Sequence, residues 1–231
     1  MAVALVASLL ALTTPVAAKQ SVSTTRISGT DRFATSVALS TAASVAGANN
    51  THFVLVNGSS YADALSAAAL AGAKQGTIIS LPADGTISAS ATARMAAATN
   101  ITIVGGFSAL PATVETTMRT LRATATITRI SGGDRYATAA NVASNIVNTA
   151  GGSLAAVNGK KSVFLASGSS FADAVIAAPG AYAGPNNSAD EAVVPIMLTN
   201  TDKLSEATKA QLVVLGVKQV FVLGGIAAVS A

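Results

Sequence analysis

The chain contains no cysteine and only one histidine among its 231 residues. Without cysteine, disulfide scaffolds, thiolate nucleophiles and cysteine-ligated zinc are excluded. His52 stands at the start of an apolar segment, and a single histidine without clustered ligands does not indicate a metal site. No role is therefore assigned to His52, and neither a metal nor a cofactor is expected.

Charge and aromatic side chains are also scarce. Charged residues make up 10% of the chain and apolar residues 51%, a composition typical neither of a disordered chain nor of a nucleic-acid binder with basic runs. The net charge of +4 favours an anionic partner only weakly. Three tyrosines and six phenylalanines are few for a surface that stacks sugars, so any glycan recognition should depend on charge and hydrogen bonds.

The N-terminus resembles an export signal. Residues 3–12 form an apolar run of secretory length, and small residues follow it up to Ala18. The run is shorter than the roughly 20 residues that span a bilayer, so a transmembrane anchor is not expected. We predict a signal peptide at residues 1–18 and a secreted chain that begins near Lys19. A buried alanine-rich helix is the alternative.

Three sequence blocks occur twice in the same order. RISGTDRFAT at residues 26–35 returns as RISGGDRYAT at 129–138, NGSSYADALSAA from Asn57 as SGSSFADAVIAA from Ser167, and IVGGFSAL from Ile103 as VLGGIAAV from Val222. This pattern indicates a duplicated module, with one copy at 19–128 and the other at 129–231. Duplication favours binding over catalysis, because two similar sites increase avidity.

Each module is predicted to be an α/β sandwich. Short strands that are apolar throughout, separated by helices, are typical of a parallel sheet covered on both faces. Asp31 should cap a helix over 32–45, and Ser60 should form a capping box with Asp63 at the start of the next. Module two has six residues after Gly225, whereas module one has 22 between Gly106 and Arg129. Module two is therefore expected to lack its final helix, and further sequence or another chain is expected to fill the position of that helix.

Arginines and aspartates recur at matching positions and are the candidate site. They are Arg26, Asp31, Arg32 and Asp63 in module one, and Arg129, Asp134, Arg135 and Asp173 in module two. In one interpretation the guanidinium forks bind phosphate or carboxylate groups of a polymer. In the other, the arginines pair with the aspartates and fix the joins between modules.

Other recurrent residues give weaker signals. The glycine pairs Gly105–Gly106 and Gly224–Gly225 follow strands, where backbone amides can hold an anion, although a tight turn is the ordinary explanation and no nucleotide-binding fingerprint is present. The repeated serines have no neighbouring histidine and no nucleophile elbow. Asp31 and Asp63 could be a glycosidase pair, but flanking arginines are expected to keep both ionised. No catalytic residue is assigned.

Together the blocks R-I-S-G-x-D-R-[FY]-A-T, G-S-S-[YF]-A-D-A and [IV]-[VL]-G-G resemble the type 2 cell-wall-binding repeat of Gram-positive surface proteins. The resemblance covers residues 26–231. It implies tandem Rossmann-like modules, usually three around a pseudo-threefold axis, that hold exported proteins on anionic wall polymers. Here only one complete and one nearly complete repeat are present.

The predicted function is therefore non-catalytic anchoring at the cell surface. The expected partner is an anionic wall polymer, either teichoic-acid-like or another secondary polysaccharide, and a third repeat or self-association is a further possibility. Nucleic acid is not an expected partner. The alternatives are a wall-active amidase or glycosidase and a structural surface-layer subunit.

Overall fold

The computed structural model describes residues 23–148, 153–170, 172–183 and 192–230. The predicted signal peptide lies outside these residues. The helices are α1 (Arg32–Val45), α2 (Tyr61–Ala73), α3 (Ala89–Arg94), α4 (Thr113–Leu121), α5 (Arg135–Asn148), α6 (Ala172–Ala183) and α7 (Glu206–Val214). The strands are β1 (His52–Asn57), β2 (Thr77–Leu81), β3 (Asn100–Val104), β4 (Thr126–Ile130), β5 (Ala156–Val157), β6 (Lys160–Ser167), β7 (Ile196–Thr199) and β8 (Gln219–Val222).

The first sheet is parallel and has the order β2-β1-β3-β4. Strand β1 lies in its middle and is almost wholly buried, as a central strand covered on both faces should be. Strand β4 pairs with β3 as far as Ile130. The predicted module junction at 128/129 thus falls inside β4, and the first two residues of the second motif copy, Arg129 and Ile130, belong to the first sheet.

The second sheet repeats this arrangement around β6. Strand β6 pairs in parallel with β7 and with β8, and the two-residue strand β5 pairs antiparallel with its first residues. Strands β6, β7 and β8 therefore correspond to β1, β2 and β3. The α/β class and the mostly parallel sheets predicted from the sequence are confirmed.

The two modules share a hydrophobic core. Helix α2 is buried almost completely, because it packs against β1 on one side and against α5 and α6 of the other module. Its alanines allow the helices to approach closely, and a Cβ at Gly72 would collide with the backbone of Tyr182 in α6. One continuous cluster runs from Val54 and Leu70 of module one to Ile146 and Ala181 of module two.

One helix is short, and one local prediction needs adjustment. Helix α3 follows its cap Ser88 and ends at Arg94, because residues 95–99 turn so that β3 can begin beside β1. Ser60 does begin α2, but its side chain makes no capping hydrogen bond, so the predicted capping box with Asp63 is wrong. Within the described residues, no helix is long and apolar enough to cross a membrane.

Candidate functional site

The aspartates of the first repeated block cap helices. The Asp31 carboxylate accepts a hydrogen bond from the backbone N–H of Ala34 at 2.7 Å, and Asp134 accepts one from Ala137 at the same distance. Each satisfies a donor that the first turn of a helix leaves unpaired. The motif therefore has a local structural role, which is to begin α1 and α5.

The arginines beside these aspartates do not pair with them. Among the described residues, the ion pair that forms joins Arg129 to Glu115, and no Arg–Asp pair occurs. Arg32 is exposed and its Nη1 lies 3.5 Å from the carbonyl oxygen of Gly58. Arg135 donates from Nη1 to the Gly168 carbonyl at 2.5 Å. The predicted Arg–Asp pairing is thus replaced by contacts with the backbone of the second repeated block.

Arg129 is held on several sides. Its Nε lies 2.5 Å from Oε1 of Glu115, and its Nη1 donates to the carbonyl oxygens of Gly105 at 2.7 Å and Gly106 at 3.4 Å. Its guanidinium also stacks over the Phe107 ring, 4.6 Å from the centroid. With its side chain only 9% exposed, Arg129 ties the turn after β3 to β4. Neither Glu115 nor Phe107 was identified from the sequence, because Glu115 lies outside the repeated blocks and the position of Phe107 in the third block is Ile226 in the second copy.

Arg26 occupies the matching position in the first copy but has different surroundings. It lies in an exposed segment before α1 that belongs to no strand. In the second copy the motif arginine is largely buried and joins the turn after β3 to β4, whereas in the first copy it is an exposed cation. This difference comes from the neighbouring strand β3, which Arg129 has beside it and Arg26 does not.

Asp63 and Asp173 face the glycine pairs. A Cβ on Gly105 would lie 2.6 Å from Oδ2 of Asp63, and one on Gly224 would also collide with Oδ2 of Asp173. Both glycines have positive φ angles, +116° and +93°. A side chain is thus excluded at the first glycine of each pair by backbone conformation and by the carboxylate. The tight-turn explanation of the glycine pairs fits this geometry.

Burial raises the pKa of the Asp63 carboxyl, and the positive charge of Arg135 opposes that shift. Asp63 is 9% exposed. Desolvation therefore acts more strongly on this carboxyl than the attraction of the guanidinium does, which is the reverse of the balance expected from the flanking arginines. Asp31, by contrast, is exposed and engaged as a helix cap.

Residues of both modules meet around Arg135. Its guanidinium lies 6.0 Å from the centroid of the Tyr61 ring, and the Tyr61 hydroxyl donates to the Ser169 carbonyl at 3.0 Å. A second tyrosine contact joins the modules where the Tyr182 hydroxyl donates to the Gly76 carbonyl at 3.1 Å. The electrostatic attraction between Arg135 and the Asp63 carboxyl also crosses this junction, although the two do not form an ion pair.

Several known proteins are similar to this chain. A family model described as Cell wall binding domain 2 (CWB2) matches residues 26–115 and 129–231. N-acetylmuramoyl-L-alanine amidase LytC of Bacillus subtilis (strain 168) is 37% identical over 104 residues, which are 45% of this chain and 17% of the amidase.

Two solved structures share the fold. Cwp8 from Clostridium difficile superposes with a TM-score of 0.67 at 24% identity, and Cwp6 from the same organism with a TM-score of 0.71 at 22% identity. The matches cover 88% and 93% of this chain but 31% and 32% of Cwp8 and Cwp6. The chain therefore spans about a third of these proteins or less.

Proposed function

Because the chain belongs to the Cell wall binding domain 2 (CWB2) family, we propose that it is a secreted, non-catalytic anchor that binds an anionic polymer of the cell wall. Membership of this family implies association with the cell surface. The polymer class and the residues that bind it are our inference from the arrangement of the arginines.

The observation that carries the proposal is that three exposed guanidinium groups have no carboxylate partner in the part of the chain that the structure describes, although Arg32 and Arg135 each direct one Nη1 group to a backbone carbonyl. Arg26, Arg32 and Arg135 are exposed, and no carboxylate of the described residues lies within ion-pair distance of them. A planar guanidinium can donate two parallel hydrogen bonds to a phosphate or carboxylate group. Repetition along a polymer of such groups would let weak contacts add through avidity.

A polar cleft beside β4 supports recognition of the uncharged part of such a polymer. The cleft has a volume of about 330 Å³ and lies between β4 and α5. Asn141, Asn145 and Asn148 line it from one face of α5, and Thr128 lines it from β4. Amide and hydroxyl groups suit the hydroxyls of a sugar or polyol chain, which carry both donors and acceptors.

The test is binding of the chain to purified cell walls over a series of salt concentrations, with walls before and after removal of anionic secondary polymers. The double variant Arg32→Gln/Arg135→Gln should bind more weakly and with a smaller dependence on salt. The control Arg119→Gln/Lys209→Gln removes the same charge from exposed positions on α4 and α7 and should bind like the parent.

A third variant separates the effect of the positive charge from that of the two parallel hydrogen bonds that a guanidinium group can donate. Arg32→Lys/Arg135→Lys keeps the charge but loses bidentate donation, so it should fall between the parent and the glutamine variant. Asn148→Ala, in the polar cleft, should weaken binding without changing its dependence on salt. Binding that survives polymer removal, or that does not respond to salt, would contradict the electrostatic part of the proposal.

The same wall preparation also distinguishes the alternative functions. Wall turbidity that falls during incubation with the chain, and no longer falls with Asp63→Asn, would indicate a hydrolase instead. Ordered sheets that form without any wall material would indicate a surface-layer subunit. An anchor should produce neither result.

A further inference from the structure

One edge of the second sheet carries no strand. In module one, β3 lies between β1 and β4, and its residues Ile101 and Ile103 are fully buried. In module two, β8 pairs with β6, and no strand of the described residues pairs with its other side. The corresponding Val220 and Val222 are 37% and 53% exposed. This edge therefore presents unpaired backbone groups next to apolar side chains.

A segment elsewhere in the chain matches the strand that this edge lacks. Residues 23–27 read STTRI, and β4, which covers the equivalent edge in module one, reads TITRI. Ile130 in β4 is 6% exposed, whereas its counterpart Ile27 is 41% exposed. Residues 23–27 belong to no helix or strand. The described residues therefore include one strand edge without a partner strand and one segment outside any strand, whose last three residues, TRI, are those of β4.

We propose that β8 accepts residues 23–27 of a second copy of this chain as a parallel fourth strand. Within the described residues the β8 edge and residues 23–27 do not pair with each other, so we place the pairing between two molecules. The register follows from β3 and β4, where Ile101 faces Ile127 and Ile103 faces Arg129. Transferred to module two, Val220 faces Thr24, Val222 faces Arg26 and Leu223 faces Ile27.

The contacts of Arg129 supply the charge complementarity for this pairing. Arg129 donates to the carbonyl oxygens of the first glycine pair, and the Gly105 N–H donates to the Ile130 carbonyl at 2.9 Å. In the paired state Arg26 of one copy donates to the carbonyls of Gly224 and Gly225 of the other. A cation thus meets the carbonyl dipoles of the turn after β8, as it does in module one.

Each copy offers one donor segment and one acceptor edge. The contact is therefore heterologous, and association proceeds head to tail into a closed ring or a longer array. Main-chain hydrogen bonds supply the pairing, as in other cases of β-strand addition. This association involves no wall polymer, but it engages Arg26, which the proposed polymer binding also uses. The polymer test changes only Arg32 and Arg135, so the two proposals can fail separately.

The first test is the mass of the purified full chain, measured by light scattering over a ~hundredfold range of concentration. The parent should increase in mass with concentration. Thr25→Pro in the donor segment and Val222→Lys on the acceptor edge should each weaken association by ~tenfold or more. Val45→Lys changes a valine that is 87% exposed on α1 and is the matched control, which should associate like the parent.

Mixing the two defective variants gives a sharper result. Thr25→Pro leaves the acceptor edge at β8 intact, and Val222→Lys leaves the donor segment at residues 23–27 intact. In an equal mixture one chain of each variant can therefore pair once, which should give a complex of two chains and nothing larger. Circular dichroism of each variant alone establishes that it is folded. A parent that stays monomeric throughout, or association that survives both substitutions, would overturn the proposal.

Cross-linking tests the register directly, since the chain has no cysteine of its own. Thr24→Cys on one copy and Val220→Cys on another should form an intermolecular disulfide under mild oxidation. The slipped combination of Thr24→Cys with Val222→Cys should form little. Equal cross-linking of both combinations, or of neither, would refute the register.

Discussion

The two glycines of the first pair should respond differently to the same substitution. Gly105 has a φ of +116°, and a Cβ there would lie 2.6 Å from Oδ2 of Asp63. Gly106 has no atom within 4 Å of its Cβ position, and its φ lies outside the left-handed region. Gly105→Ala should therefore destabilise the fold, whereas Gly106→Ala should be nearly neutral.

The size of the effect follows from two separate costs. Holding an alanine at a disfavoured φ costs ~1–3 kcal/mol. Displacing a buried carboxylate by one methyl group adds ~1–3 kcal/mol, at the low end because the group at risk is the end of a side chain. We expect Gly105→Ala to lower the free energy of unfolding by about 3 kcal/mol, and Gly106→Ala to change it by less than ~1 kcal/mol.

The assay is urea unfolding followed by far-ultraviolet circular dichroism. A double variant separates the two costs, because Asp63→Ala removes the carboxylate but leaves the φ unchanged. In that background Gly105→Ala should cost about 1 kcal/mol less than in the parent. Equal effects of alanine at Gly105 and Gly106 would refute the reasoning, as would a cost of Gly105→Ala that Asp63→Ala does not reduce.

Three further predictions follow from single contacts. Arg129→Met should lower the free energy of unfolding by about 2 kcal/mol, because it removes a donor from the carbonyl oxygen of buried Gly105 and the partner of the partly exposed Glu115. Exposed Arg119→Met should change it by less than ~0.5 kcal/mol in the same urea assay. The folded state binds the proton of Asp63 more tightly than the unfolded state does, because the pKa of this carboxyl is raised in the fold. The stability of the parent should therefore fall as the pH rises from the ordinary aspartate pKa, about 4, through the raised pKa of Asp63. Urea midpoints measured against pH should show this decline for the parent and not for Asp63→Asn. Gly72→Ala should lower the melting temperature through a backbone collision at the α2–α6 contact, whereas Gly180→Ala, whose nearest neighbour is 3.9 Å away, should preserve or raise it.

Local order was largely predictable from the sequence, since its signals come from nearby residues. The cap at Asp31 and the helix over 32–45 were predicted as they occur. The parallel sheets were also predicted, because short strands that are apolar throughout are typical of a sheet covered on both faces. The Ser60 cap was not correctly predicted, because the burial of Asp63 depends on a turn more than 40 residues further along the chain.

The candidate residues were found by repetition, but their roles were not. Repetition marked Arg26 and Arg129 as equivalent, and it also marked Asp63 and Asp173 as partners for arginines. In the structure the arginines bind backbone carbonyls, and the aspartates either cap helices or face glycines. Sequence separation carries no information on which side chains share an edge of a sheet, so these partners could not be predicted.

The sequence by itself determined the duplicated α/β architecture and the family, because periodicity, caps and repeated blocks are properties of neighbouring residues. The tertiary structure decided what each repeated residue does. Arg129 joins the turn after β3 to β4 because these two strands are neighbours, whereas Arg26 has no strand beside it and is exposed. Identical motifs diverged because hydrogen bonding and burial depend on what packs against them.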